Sequence, residues 1–222
     1  NAVALTNPGL HWFFNKVVPR LKNNKIPLVV SVYGTLDDKN LFTWIEEFDF
    51  WEINLVGIEY NPTCPNTAEF KDWNAKDSIK FCEAIKKRTK LPLLYKASVA
   101  HRPFMKEVCR QTRGLVEAID INSVPWAIRF SSRKSPLAKF GGGGVSNKAA
   151  QKNNWRFVEY LVNLTDIPVM CPDICSYEDI GRGRALGAKA VVFSSAFTYN
   201  PFAPSDWVKR DMRLRQIHQG KS

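Results

Sequence analysis

Short runs rich in β-branched and other apolar residues recur along the chain, at positions 26–33, 51–60, 91–96, 115–121, 167–171 and 189–194. Each has the length and composition of a buried strand. Between them, apolar residues fall at helical spacing over 36–48, 75–89, 102–113, 147–164 and 177–186. Strand and helix alternate throughout, which predicts parallel strands joined by helical crossovers and hence an α/β fold. The strands are almost continuously apolar, so both of their faces are predicted to be covered, as in a parallel sheet or a (β/α) barrel.

Polar residues gather just beyond the predicted C-terminal ends of these strands. Asn61 to Asn66 follow the second, Lys96 and Ser98 the third, Asn122 and Ser123 the fourth, and Asp173 to Ser176 the fifth. In a barrel these positions converge on one rim, where such folds keep their chemistry. In an open doubly wound sheet they lie along an edge instead. One long irregular connection covers 126–148, and its run Phe140-Gly141-Gly142-Gly143-Gly144 is read either as a flexible loop or as backbone that lets a ligand approach closely.

The densest polar cluster is Ile58-Glu59-Tyr60-Asn61-Pro62-Thr63-Cys64-Pro65-Asn66-Thr67. Asn side chains supply donors and acceptors to a planar, amide-rich ligand, prolines set the backbone direction, and a thiol becomes a base or nucleophile once deprotonated. An ordinary Asn/Pro turn with a buried Cys accounts for the same letters.

Composition narrows the classes. The chain has 222 residues, 45% hydrophobic and 24% charged, which suits one globular domain over 1–222. No apolar run approaches the roughly 20 residues of a membrane helix, so the expectation is a cytoplasmic protein with no membrane contact. Five scattered cysteines argue against a disulfide framework, and Cys171 and Cys175 lack the neighbours a metal site needs, so no metal is expected. The net charge of +11 is spread over helix faces such as Lys86-Lys87-Arg88 and Arg210, Arg213 and Arg215, which argues against specific nucleic-acid recognition.

Taken in order, several motifs resemble the dihydroorotate dehydrogenase family, flavin enzymes on a (β/α)8 TIM barrel. Asn1-Ala2-Val3-Ala4-Leu5-Thr6-Asn7-Pro8-Gly9 is similar to the family's Asn-Ala-x-Gly-Leu-x-Asn-Pro-Gly, and the cluster around Cys64 to Glu-Leu-Asn-x-Ser-Cys-Pro-Asn. Leu93-Leu94-Tyr95-Lys96, Ile121-Asn122-Ser123 and Gly143-Gly144-Val145-Ser146-Asn147-Lys148-Ala149 match further segments. The resemblance implies FMN-dependent oxidation of dihydroorotate to orotate in pyrimidine biosynthesis. Cys64 would be the base, which resembles the soluble class. Asn1, Asn61, Asn66, Asn122 and Ser123 would hold the substrate, and Lys96, Gly143, Gly144, Ser194 and Ser195 the cofactor. It also implies an incomplete barrel, with about six of the eight strands, and leaves a homodimer or a larger assembly open.

The sequence departs from the family at the cofactor phosphate. The family carries Gly-x-Gly-Gly-Ile after the seventh barrel strand and Gly-Thr-Ala after the eighth, whereas this chain has Met170-Cys171-Pro172-Asp173-Ile174 and Ser194-Ser195-Ala196. Pro172 removes an amide donor. A carboxylate about 4 Å from a phosphate charge repels it by roughly 4 kcal/mol at an effective dielectric near 20. Arg182 and Arg184 are the candidates to compensate. The alternative function is therefore a flavin-free barrel relative that serves as a structural or interaction subunit.

Overall fold

The computed structural model describes residues 7–64 and 73–219. Two helices, α1 (Leu10–Lys16) and α2 (Val18–Leu21), precede β1 (Leu28–Val32), α3 (Lys39–Glu47), β2 (Leu55–Tyr60) and α4 (Ala75–Lys86). Next come β3 (Leu93–Ala97), α5 (Met105–Gln111) and β4 (Ala118–Ile121). The long connection holds β5 (Val124–Pro125), α6 (Trp126–Arg129) and β6 (Gly144–Val145). The chain continues through α7 (Gln151–Leu164), β7 (Met170–Cys171), α8 (Tyr177–Ala185), β8 (Ala190–Val191), α9 (Ser195–Tyr199) and α10 (Ala203–Gln219).

Strands β1, β2, β3 and β4 form one parallel sheet in sequence order, and β7 pairs with β8, also in parallel. A bridge between Ile119 and Val169 joins the two sheets, with the Ile119 N–H donating to the Pro168 carbonyl at 2.8 Å. The parallel strands therefore follow the order β1, β2, β3, β4, β7, β8, that of a (β/α) barrel, and among the described residues no pairing closes β8 onto β1. The sheet is an incomplete barrel. The predicted 126–148 loop is closed by an antiparallel pair, β5 lying just before it and β6 within it.

Local chemistry sets the element boundaries. Asp38 accepts the Leu41 N–H at 3.0 Å and Asn74 the Asp77 N–H at 2.8 Å, so α3 and α4 begin at side-chain caps. Ser176 and Asp179 make a reciprocal capping box at the start of α8. The second predicted strand opens four residues late because its first residues turn on themselves, the Ile53 N–H donating to the Trp51 carbonyl and the Leu55 N–H to the Ile53 carbonyl, both at 2.8 Å. The helix predicted from 147 starts at Gln151 because Asn147 has a left-handed backbone, φ 66°. A turn of 3-10 helix, Val99–Phe104, carries Pro103 and delays α5 to Met105. β7 and β8 are only two residues each, shorter than the apolar runs that predict them.

Buried side chains from Val18 to Ala188 form one hydrophobic cluster between the strands and the helices. Helix α1, which the periodicity does not predict, docks through Phe14 on Trp44 of α3 (ring centroids 5.1 Å apart) and on Trp51 (5.6 Å). Tyr60 stacks on Phe81 at 4.2 Å, tying the end of β2 to α4. At the end of α8, Gly187 has φ 90°, and a Cβ there would lie 2.6 Å from Val162 Cγ1 of α7. Gly187→Ala is expected to cost about 2 kcal/mol in urea denaturation, from backbone strain and overpacking together. A loss below about 0.5 kcal/mol would mean that α7 and α8 adjust freely.

Candidate functional site

The parallel strands deliver polar side chains to one rim. Asn61 follows β2, and its N–H donates to the Val32 carbonyl at 2.9 Å. Asn122 follows β4, and its side-chain amide donates to Asn61 Oδ1 at 3.0 Å. The second Asn122 function, Oδ1, accepts the Ser123 N–H at 2.9 Å, so Ser123 fixes the orientation of Asn122 through its backbone. Thr63 is fully buried and donates through Oγ1 to the Lys96 carbonyl at 2.7 Å, which anchors the turn carrying Cys64 to β3. Cys64 is buried, 7% exposed. Asn1 and Asn66 lie outside the described residues.

Beneath this rim runs a row of polar groups with one member on each strand. Ser31 of β1 donates to Glu59 Oε1 of β2 at 2.6 Å. Lys96 of β3 reaches Glu59 at 3.0 and 3.1 Å and Asp120 Oδ2 of β4 at 2.8 Å. The register explains the row, because Ser31 stands opposite Glu59 and Lys96 opposite Asp120. Burial works against the charge on Lys96, but Asp120 and then Glu59 outweigh it and hold its pKa above the ordinary value. Burial, opposed by Lys96 and reinforced by Asp120, pushes the Glu59 carboxyl up. Lys96 is thus clamped by two carboxylates and does not snorkel into solvent.

The β7 end carries the departures from the family pattern. Asp173 also has a left-handed backbone, φ 60°, at a place where the family has glycine-rich sequence. Its carboxylate turns inward, 6% exposed, accepting the Asn147 N–H at Oδ1 and the Asn154 side-chain amide at Oδ2, both at 2.8 Å. Burial pushes its pKa up to about 6 against the pull of those two donors, and the Asp120 charge adds to the rise. Arg184 does not compensate, because it makes a two-armed ion pair with Asp211 of α10 at 2.6 and 2.7 Å. Arg182 is mostly exposed and reaches Asp179 at 3.5 Å.

Gly143 and Gly144 are buried beside β5, where Gly144 pairs with Pro125 and the Gly143 carbonyl accepts the Trp126 N–H at 3.0 Å. Ser194 and Ser195 follow β8, with Ser194 exposed. Sequence reading missed Asp120, Ser31 and Asn154 as members of the site, since none of them falls within a matched motif. A charged residue inside an apolar strand run was the available signal for Asp120.

The sequence model of the family described as dihydroorotate dehydrogenase matches residues 1–214. The chain belongs to the dihydroorotate dehydrogenase family. It is 29% identical over 211 residues to the catalytic subunit of dihydroorotate dehydrogenase B (NAD(+)) from Maridesulfovibrio salexigens, covering 90% of this chain and 67% of that protein. The corresponding subunit from Oceanobacillus iheyensis is 27% identical over 222 residues, covering 93% and 69%. The chain thus spans about two thirds of the length of these relatives. The crystal structure of a ligand-free type dihydroorotate dehydrogenase from Eimeria tenella superposes with a TM-score of 0.68 at 15% identity, over 93% of this chain and 65% of that one.

Members of the dihydroorotate dehydrogenase family use FMN, and the residues at the β7 end do not fit its phosphate. Pro172 offers no N–H, and the Asn147 N–H is already engaged by Asp173. Among the described residues no group of three or more His, Cys, Asp or Glu side chains could hold a metal ion, and no helix is long and apolar enough to cross a membrane.

Proposed function

We propose that this chain oxidises dihydroorotate-type pyrimidines, with Cys64 as the base for the C5 proton and a flavin ring as the acceptor of the C6 hydride. The observation that supports this most is the direct contact between Asn61 and Asn122, from the ends of β2 and β4, beside the turn that carries Cys64. Dihydroorotate presents two amide edges in one plane, and two carboxamides held together offer the matching donors and acceptors. Opening their mutual hydrogen bond onto a ligand exchanges one amide contact for another, so binding leaves neither Asn unsatisfied. With the ring oriented in this way, Cys64, buried in the turn that follows Asn61, takes the C5 proton in this reading. The cytoplasm and pyrimidine biosynthesis are the corresponding setting, and Asn1 and Asn66 are further substrate contacts carried over from the family motifs.

The test is dihydroorotate oxidation by the purified chain, supplied with FMN and a dye acceptor, compared with Cys64→Ala. Loss of a positioned general base is expected to lower turnover on the order of 100-fold with orotate affinity retained. Equal turnover in the two proteins removes Cys64 from the mechanism. Asp173 at the cofactor end favours a second reading, a flavin-free relative acting as a structural or interaction subunit. A colourless protein that FMN cannot reconstitute and that oxidises no dihydroorotate supports that reading.

A further inference from the structure

Two residues other than glycine have left-handed backbones among those described, Asn147 and Asp173, and they stand at opposite ends of one hydrogen bond. That conformation is unfavourable for any side chain and is tolerated best by Asn and Asp. Its occurrence at both ends of a single contact marks the contact as one the surrounding fold imposes. The Asp173 carboxylate has no other orientation to adopt in place, because Asn154 holds its second oxygen and Gln151 holds its backbone carbonyl, each at 2.8 Å.

Two further donors of the same turn are also taken by the chain itself. Pro172 has none, and the N–H groups of Cys175 and Ser176 both donate to Asp179 Oδ2 at 3.1 Å. A phosphate arriving here would meet a buried carboxylate seated on an amide, with Arg184 of α8 paired to Asp211. Two anions cannot share that amide without one losing its donor.

We propose that Asp173 is a tethered anion standing where a ligand's phosphate would sit at the β7 end of the barrel mouth, so that the chain selects against phosphorylated heterocycles and favours their phosphate-free counterparts. The inference goes beyond dihydroorotate oxidation and does not depend on which substrate is turned over. It concerns the anion that the β7 turn accepts, and its experiment reads binding alone.

FMN and riboflavin carry the same ring and differ in the phosphate, so quenching of their fluorescence on titration with the full chain isolates that group. The chain is expected to bind FMN no more tightly than riboflavin. Asp173→Gly keeps the left-handed backbone without strain and frees the amide, and it is expected to raise FMN affinity on the order of tenfold or more while riboflavin binding moves little. Asp173→Asn, checked by circular dichroism, is read in the same direction should the glycine variant fail to fold. A tenfold preference for FMN in the unaltered chain overturns the proposal. So does an FMN affinity that neither variant improves, including the case where none of the proteins binds FMN.

Discussion

Replacing Lys96 with methionine is expected to destabilise the fold by about 4 kcal/mol, because it leaves two buried carboxylates without their cation. Methionine keeps the length and packing of the side chain, so the loss reports the charge and not a cavity. Glu59 and Asp120 are both buried, and Lys96 is the ammonium that reaches each of them. Ser31 still donates one hydrogen bond to Glu59, which offsets a small part of the penalty. The variant is expected to lose less at pH 5 than at pH 8, since burial already raises the Glu59 carboxyl and a proton can replace the missing ammonium.

The magnitude does not measure the net worth of the ion pairs. Removing all three charges as Glu59→Gln, Lys96→Met and Asp120→Asn is expected to recover most of the loss, because buried charges cost desolvation that their attraction only repays. Urea denaturation of the single and triple variants gives both numbers. A loss below about 1 kcal/mol for the single variant would show that the row is solvated and acts as an ordinary surface pair.

The second large effect is a pH dependence carried by Asp173. Its carboxyl is raised from 3.8 to about 6 in the folded chain, so between those values the folded state holds more protons than the unfolded one. Stability therefore falls as pH rises. The favourable contribution is complete below about 3.8 and is lost as pH passes about 6. The shift is worth about 3 kcal/mol, and the stability of the unaltered chain relative to Asp173→Asn is expected to drop by that order between about pH 4 and pH 7. Taking the difference between the two proteins cancels the other titrating groups. The asparagine loses one accepting oxygen toward Asn147 or Asn154, which shifts the difference by a constant without changing its slope. A flat difference across that range would mean that water reaches the carboxylate.

Both effects arise at places where local preference is overridden. Left-handed Asp173 and three charges inside a parallel sheet each violate a rule that the rest of the chain obeys, and such violations concentrate where function or its loss is written. Here they lie at the β7 end and in the row across β1 to β4.

The strand and helix alternation was legible because burial on both strand faces requires continuous apolar runs, and because Asp38, Asn74 and Ser176 mark helix starts by local hydrogen bonds. The Asn, Cys and Lys candidates were legible from motif order, and Asp173 was recognisable as a charge near the expected phosphate position. The tertiary structure alone decided what these residues touch. Ser31, Glu59, Lys96 and Asp120 lie tens of positions apart, and only the register of four parallel strands brings them into one row. Which amide the Asp173 carboxylate engages, and that Arg184 turns to Asp211, likewise depend on how α7, α8 and α10 pack. Local sequence carries periodicity and caps because those forces act within a few residues. Pairing of distant charges is set by sheet register and helix packing, which no short stretch of chain contains.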